Sequence, residues 1–106
     1  MLVINRFRVV AAEVPQFLLD ARRAQELLAE RPGFLDATLA RNLDDPTMWS
    51  LVTHWQSVGS YRRALSSYDV KAEAVPFLSR AIDEPSAYEI ARLGTELNIP
   101  MSRSLG

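Results

Sequence analysis

The amino-acid sequence predicts an α+β domain, and three observations support this. Residues 2–10 and 47–55 are short runs rich in β-branched and aromatic residues, with the alternation of half-buried strands. Between them, residues 15–30 repeat apolar side chains at three- and four-residue spacing, as an amphipathic helix does. A chain of 106 residues, 48% of them apolar, buries a single core. We therefore expect one domain over residues 1–93 and a tail over residues 94–106.

The first strand is predicted over residues 2–10 and the first helix over residues 15–30. Pro15 suits a first helical turn, and "RPG" at residues 31–33 ends the apolar repeat. One face of the strand carries Val3, Asn5, Phe7 and Val9, and the other carries Leu2, Ile4, Arg6 and Arg8. The buried face of the helix is predicted to carry Phe17, Ala21, Ala24, Leu27 and Leu28.

A hairpin and a second helical region are predicted next. "FLDATLARNL" and "TMWSLVTHW" alternate as strands around the turn "DDP". Ser57 is a natural N-cap, whereas Pro76 forces a kink or restart, so we expect two helical pieces ending near Ile82. "SAYEIARL" alternates as a last strand. The helix-facing side of the second hairpin strand is predicted to carry Trp49, Leu51, Thr53 and Trp55.

The element order is therefore β-α-β-β-α-β, which is the ferredoxin-like arrangement of one antiparallel sheet covered on one face by helices. The other sheet face must also be hidden, because an exposed apolar sheet would be sticky. We expect it to carry Leu35, Ala37, Leu39, Met48 and Val52. Two such sheets packed together would cover these side chains, so the pattern predicts a homodimer. The tail over residues 94–106 carries Leu97, Ile99, Met101 and Leu105 and is expected to pack on this dimer.

Composition and charge limit the partners, the compartment and the metal sites that we expect for this protein. Twelve basic and thirteen acidic residues give a net charge of -1 without a basic stripe, so nucleic acid is not an expected partner. Absence of cysteine fits a reducing compartment, and we expect a cytoplasmic protein. The opening "MLVINRFRVV" predicts neither a signal peptide nor a membrane span. With one histidine and no cysteine, an intrinsic transition-metal site is not expected.

Three side chains on the predicted strands are candidates for chemistry. Asn5 is expected to face the helices, where an amide without hydrogen-bond partners would lower stability by about 1–3 kcal/mol. Its amide either holds a substrate carbonyl or dioxygen, or bonds a helix residue. Trp55 is expected in the core with an indole N–H that needs a partner. His54 falls on the opposite face from Trp55 and is interpreted as structural. Arg62, Arg63 and Arg80 are interpreted as solvated charges, although one of them could meet an anionic substrate.

Several segments resemble the antibiotic biosynthesis monooxygenase superfamily of dimeric α+β barrel proteins. They are "VINRF", the hairpin "RPGFLDATLARNLDDPTMWSLVTHWQS" leading into "YRRAL", and "PSAYEI". The most specific piece is "PGF" at residues 32–34, followed across the hairpin by Trp55 and Ser57. The resemblance covers about residues 2–92.

The resemblance implies a cofactor-independent monooxygenase that oxidises a phenolic or polyketide-like aromatic molecule with dioxygen. No cofactor is then expected. Asn5 and Trp55 are the candidate catalytic donors, and the candidate substrate-binding residues are Phe7, Tyr61, Tyr68 and Phe77, with Tyr68 near the mouth. The alternative is a non-catalytic dimer that binds a small ligand or acts as an accessory protein.

Haem degradation, a third activity of the superfamily, is disfavoured. In that branch an asparagine on the first strand works with a tryptophan and an axial histidine of the second helical region. Asn5 matches the asparagine, but ungapped placement through "VTHW" puts Ala64 and Glu73 at the other two positions. Neither side chain can take over those roles.

Overall fold

The computed structural model of the protein describes residues 1–94. Strands β1 (Leu2–Arg8), β2 (Phe34–Arg41), β3 (Met48–Trp55) and β4 (Ala87–Tyr88) form one antiparallel sheet in the order β2-β3-β1-β4. The helices are α1 (Val14–Ala29), α2 (Val58–Ser66) and α3 (Val75–Leu78), with a 3₁₀ turn at Ala11–Glu13 and a π-helical segment at Val70–Ala74. The architecture confirms the predicted ferredoxin-like α+β fold.

The register of β1 against β3 places the core. Val3, Asn5 and Phe7 lie opposite Thr53, Leu51 and Trp49 respectively. Paired residues share a face of the sheet, so these six side chains point toward the helices, as the alternation predicted. All of them except Asn5 are at most 9% exposed. The core therefore lies between the central strands and the helical layer, and Asn5 is the polar residue of β1 within it.

Helix α1 matches its sequence pattern closely. The five residues predicted for its inner face are all buried, and Pro15 lies in the first turn, where no helical hydrogen bond needs its nitrogen. The helix ends at Ala29 instead of Glu30. Gly33 then takes φ +88°, a conformation that favours glycine, and the chain turns into β2.

The second helical region divides as its proline predicted. The Ser57 hydroxyl accepts a hydrogen bond from the backbone N–H of Ser60 at 3.1 Å, which confirms Ser57 as the N-cap of α2. A π-helical segment follows, and α3 starts one residue before Pro76. This restart avoids a lost hydrogen bond in the middle of a helix. Helix α3 ends at Leu78, four residues before the predicted limit, and the chain then runs beside β1, with Ile82 N–H donating to the Arg6 carbonyl at 2.8 Å.

The predicted outer face of β2 is wrong at two positions. Ala37 and Leu39 pair with Thr53 and Leu51, so they lie on the helix-facing side. The reason is a register irregularity between Phe34 and Asp36, which places Leu35 outside the regular alternation. One extra residue in a strand shifts the alternation of everything after it. Leu35 itself is 56% exposed.

The last strand is shorter than predicted. Only Ala87 and Tyr88 pair with β1, whereas alternation indicated a strand over residues 86–93. The tail predicted over residues 94–106 lies outside the described residues except for Gly94.

The second face of the sheet is open in the single chain. It carries Ile4, Met48 and Val52, each half-buried, and the Arg6 guanidinium, which donates to both carboxylate oxygens of Glu84 at 2.6 and 2.7 Å. This face is the one on which we predicted dimer contacts, and it retains apolar side chains although β2 contributes fewer than expected. No helix within residues 1–94 is long and apolar enough to cross a membrane.

Candidate functional site

Asn5 lies at the centre of the sheet with its side chain toward the helices. It is flanked along β1 by Val3 and Phe7, which are 1% and 2% exposed, and it faces Leu51, which is fully buried. Asn5 itself is only half-buried, and its amide makes no side-chain hydrogen bond with another residue of the described chain. The alternative of an asparagine bonded to a helix residue is therefore not what the structure contains. Within residues 1–94 no other residue hydrogen-bonds the amide, which leaves it hydrogen-bonding capacity for water or a ligand.

Trp55 is a core residue whose indole donor is already used. The side chain is 1% exposed, and Nε1 donates to the Thr53 hydroxyl at 2.9 Å. Trp55 lies four residues along β3 from Leu51, the partner of Asn5, which is about 13 Å at the rise of a strand. It therefore stands at the end of the sheet, away from the Asn5 amide.

Thr53 is a buried polar group that the sequence reading did not single out for chemistry. It is 3% exposed, and its oxygen accepts the Trp55 indole N–H. A hydroxyl that accepts one hydrogen bond still has its own proton to donate. Thr53 pairs with Val3, one alternate position from Asn5 on the same face. Alternation predicted Thr53 on the helix-facing side of its strand, whereas its register relative to Asn5 comes from the structure.

Trp49 carries the unpaired indole of the core. Its Nε1 is buried and has no hydrogen-bond partner within residues 1–94. Trp49 pairs with Phe7, and its position on β3 is two residues from Leu51, about 7 Å along the strand. Trp49 is therefore the tryptophan whose indole N–H is unpaired within residues 1–94, and it lies nearer than Trp55 to Asn5 along the sheet. The sequence favoured Trp55 as the hydrogen-bond donor.

Four aromatic rings fill the space beside Asn5. Phe7 lies 4.9 Å from Phe77 and 5.3 Å from Phe17 between ring centroids, and Phe17 lies 5.5 Å from both Phe77 and Trp49. Such separations are those of favourable aromatic pairs. The structure thus brings together two predicted binding residues, Phe7 and Phe77, but as a packed cluster.

The two candidate tyrosines have different surroundings. Tyr61 is half-buried with its ring 5.6 Å from that of Trp55, and burial raises its pKa above the ordinary value of 10.0. It therefore stays a neutral phenol at physiological pH and can donate a hydrogen bond. Tyr68 is 85% exposed in the link between α2 and the π-helical segment. The structure does not bring Tyr68 to the other candidate residues.

A cavity of about 370 Å³ opens between α1 and α3. Phe77 lines it from below, and two ion pairs bridge it: Arg23 with Glu73 at 3.0 Å and Arg80 with Asp20 at 2.9 Å. Since Phe77 also contacts Phe7, one ring separates this cavity from the strand that carries Asn5. Asn5 itself is not among the residues that line the cavity.

The residues bearing on metal and haem binding lie in three separate elements, β3, α2 and the π-helical segment. His54 is on the open sheet face, as predicted, and its Nδ1 lies 2.6 Å from a carboxylate oxygen of Asp36. Ala64 is 2% exposed in α2, and Glu73 pairs with Arg23. Neither of these two positions offers a ring nitrogen to iron. The described part of the chain contains no cluster of three or more His, Cys, Asp or Glu side chains suited to a metal ion.

Fold and site together define a ferredoxin-like α+β protein with a polar group on the helix-facing side of its central strand. The family model of antibiotic biosynthesis monooxygenases matches residues 1–74. The chain belongs to the antibiotic biosynthesis monooxygenase family, which confirms the resemblance seen in the sequence. No curated protein sequence matches this chain.

Solved structures share the fold at low identity. SnoaB of Streptomyces nogalater, a cofactor-independent oxygenase, is 24% identical with a TM-score of 0.69, over 89% of this chain and 96% of that one. A conserved protein from Methanosarcina mazei Go1 is 21% identical with a TM-score of 0.66, over 81% and 84%. An antibiotic biosynthesis monooxygenase is 16% identical with a TM-score of 0.65, over 87% and 100%. At these identities the likeness shows the fold alone.

Proposed function

We propose that this protein is a cofactor-independent oxygenase that oxidises a phenolic or polyketide-like aromatic molecule with dioxygen. The observation that carries the proposal is the Asn5 amide, which is half-buried, unbonded within the described chain and directed at the helical layer from the central strand. Membership of the monooxygenase family and the shared fold of a cofactor-independent oxygenase support the reaction class. A ligand that covers this half-buried amide has to hydrogen-bond it, because a polar group buried without a partner costs about 1–3 kcal/mol.

The reaction that fits this class begins with a bound aromatic anion. A deprotonated electron-rich ring can pass an electron to dioxygen, and the new carbon–oxygen bond then forms a peroxide on the ring carbon. Loss of water from that peroxide leaves a carbonyl, so a CH₂ group plus O₂ yields C=O plus H₂O. The protein has to orient the anion, exclude bulk water and donate hydrogen bonds to the developing oxygen anion.

Described side chains can supply these roles. In the proposal, the Asn5 amide holds a substrate carbonyl or dioxygen, and the unpaired Trp49 indole N–H is a second donor. The Thr53 hydroxyl proton and the neutral Tyr61 phenol are further donors on the same side of the sheet. Trp55 then acts as an aromatic wall, because its own N–H is occupied.

In the proposal, the substrate reaches Asn5 by passing the Phe77 ring. This ring lines the cavity between α1 and α3 and contacts Phe7, the neighbour of Asn5 on the same strand face. Phe77 follows Pro76 at the restart of the helix. A proline and a π-helical segment interrupt regular helical hydrogen bonding and are frequent where a helix moves. Displacement of Phe77 would join the cavity to Asn5, and the role of Tyr68 at its mouth stays a prediction.

A non-catalytic dimer that binds a small ligand is the second candidate. The observation in its favour is the dense interior: Phe7, Trp55 and Phe77 are only 2%, 1% and 4% exposed. A core filled in this way gains stability from aromatic packing and leaves little preformed room for a substrate. A measurement of oxygen consumption with aromatic substrates distinguishes the two candidates, because only the oxygenase would turn a substrate over.

The test compares Asn5→Ala with wild type, using oxygen uptake with a panel of dihydroxylated aromatics and anthrone-like phenols. Asn42→Ala is the matched control, since the Asn42 amide oxygen accepts backbone N–H groups of Asp44 and Asp45 in the exposed hairpin loop. We expect turnover per folded molecule to fall at least about tenfold in Asn5→Ala, the effect of losing one donor to a charged intermediate. Asn42→Ala should keep wild-type turnover.

Equal turnover in wild type and Asn5→Ala would contradict a catalytic role for the amide. If wild type consumes no oxygen with any member of the panel and Asn5→Ala folds as well as wild type, the binding candidate replaces the oxygenase. Addition of hemin tests the disfavoured third activity, because haem ligation would shift the Soret band. We expect no shift.

A further inference from the structure

A small cavity at the junction of α1, β2 and α2 is lined by two arginines. Its volume is about 110 Å³, and its lining residues are Arg31, Pro32, Arg63 and Ala64. Arg31 follows the end of α1, and Arg63 lies in the second turn of α2. The two arginines come from segments 32 positions apart in the sequence and line the same cavity.

Neither arginine has a carboxylate partner within residues 1–94. The Arg63 guanidinium makes one long hydrogen bond, 3.5 Å to the Ser60 hydroxyl. Nε of Arg31 is buried with no hydrogen-bond partner in the described chain. By contrast, the arginines that pair with carboxylates are Arg6, Arg8, Arg22, Arg23 and Arg80. Two like charges beside one cavity repel each other, and a buried unpaired donor of a cation is costly.

Close packing positions the segments that carry the two arginines. A Cβ atom on Gly33 would lie 2.3 Å from the Ser60 hydroxyl oxygen, so the turn after Arg31 approaches α2 as only glycine allows. A Cβ atom on Gly59 would lie 3.1 Å from a terminal nitrogen of Arg63, so that guanidinium folds back over the first turn of α2. The packing of this turn against α2 therefore brings together the two segments that carry Arg31 and Arg63.

We propose that this cavity is a binding site for a doubly charged oxyanion of phosphate size. Two guanidinium groups offer parallel N–H donors that match the oxygens of a phosphate, and two positive charges match its two negative ones. The volume is well below the roughly 300–1,000 Å³ of a pocket for a drug-sized organic ligand. A bound oxyanion would pair Arg31 Nε and remove the repulsion. The proposal is independent of the oxygenase reaction, because it uses none of the residues around Asn5.

The experiment titrates inorganic phosphate into the full ¹⁵N-labelled chain at pH 7 and constant ionic strength, with chloride as the balancing anion. Glycine amides report the position of binding. Gly33 follows the lining residue Pro32, and Gly59 lies against the Arg63 side chain, so both amides are expected to shift with one saturable curve. Gly94 has no described group within 4 Å of a Cβ position and should not move. Acetate, which carries a single charge, should bind at least about tenfold more weakly.

Variants identify the side chains responsible. Arg63→Gln should raise the Kd for phosphate about tenfold or more, the consequence of losing one charge-assisted interaction. Arg62→Gln is the matched control, since it removes the same charge from the adjacent exposed position and should change the Kd less than about twofold. Arg31→Gln should act as Arg63→Gln does. Because Arg63 is exposed, its variant keeps the test valid if Arg31→Gln does not fold.

Shifts that do not saturate, or an equal loss in Arg62→Gln and Arg63→Gln, would overturn the proposal, because both indicate general charge screening. Acetate binding as tight as phosphate binding would overturn the assignment to a doubly charged oxyanion.

Discussion

Replacement of Gly33 by alanine tests how the corner between α1 and α2 is built. Gly33 has φ +88°, and an added Cβ would lie 2.3 Å from the Ser60 hydroxyl oxygen and 2.4 Å from its Cβ. Alanine at a positive φ costs about 1–2 kcal/mol. Forcing a methyl group into a packed contact costs about 1–3 kcal/mol more. We therefore expect Gly33→Ala to lose about 2–5 kcal/mol of the free energy of unfolding.

Gly94→Ala is the matched control for the backbone contribution. Gly94 has φ +82°, yet a Cβ there would meet no group of residues 1–94 within 4 Å, so the variant carries the backbone strain without a collision with the described chain. Its loss should be at most about 1–2 kcal/mol. Ser60→Gly supplies the complementary control, because it removes the side chain that collides. In a double-mutant cycle the Gly33→Ala and Ser60→Gly changes should couple by about 1–3 kcal/mol.

The assay is urea unfolding followed by tryptophan fluorescence, with every variant at the same protein concentration because a dimer would make stability concentration-dependent. For a domain of this size a loss of 2 kcal/mol lowers the melting temperature by roughly 8–16 °C. A loss for Gly33→Ala no greater than that for Gly94→Ala, or zero coupling with Ser60→Gly, would refute the argument that the turn is held against α2.

Three further predictions concern the Arg6–Glu84 ion pair, the apolar side chains of the open sheet face and the tail. The Arg6 guanidinium hydrogen-bonds Glu84 and lowers the pKa of that carboxyl below its ordinary value of 4.5; the pair therefore stabilises the fold above about pH 4.5 and is lost as pH falls through the lowered pKa. Glu84→Gln should be less stable than wild type at pH 7, and this difference should close as the pH falls through the lowered pKa of Glu84. A difference that does not change with pH would count against the pair. Light scattering at micromolar concentration should give the mass of a homodimer for wild type and of a monomer for Val52→Lys. Val52 lies on the open sheet face beside Ile4, and a lysine buried there in a dimer would have no partner. A monomeric mass for wild type would contradict the dimer prediction. Deletion of residues 95–106, whose sequence includes Leu97, Ile99, Met101 and Leu105, should lower the melting temperature if the tail packs on the dimer as proposed; an unchanged melting temperature contradicts that.

Much of the fold follows from local patterns in the chain. The inner faces of β1, β3 and α1 were predictable residue by residue, because side chains alternate every two positions in a strand and return every three to four in a helix. Ser57 and Pro76 likewise act through their own backbone, one by capping a helix and one by preventing its continuation. The position of Asn5 among the buried residues of β1 belongs to this predictable part.

Other features depend on contacts between distant residues, and for these local pattern was insufficient. The register irregularity at Leu35 arises in the pairing of β2 with β3, and it moved Ala37 and Leu39 to the inner face. Residues 89–93 alternate as a strand does but form no pairs with β1. The ladder between β4 and β1 ends at Tyr88, which lies opposite Leu2, the first residue of β1. A strand is defined by its partner as well as by its own residues.

The candidate sites show the same division. Alternation placed both tryptophans on the inner face, but only the packed structure shows that Thr53 accepts the indole N–H of Trp55 while that of Trp49 has no partner within residues 1–94. Arg63 read as a solvated charge because nothing near it in sequence suggests otherwise. The turn at Gly33 brings Arg31 to it from the far end of α1. Periodicity determines which face a side chain takes, whereas its hydrogen-bond partners and charged neighbours depend on which segments the tertiary fold packs against it.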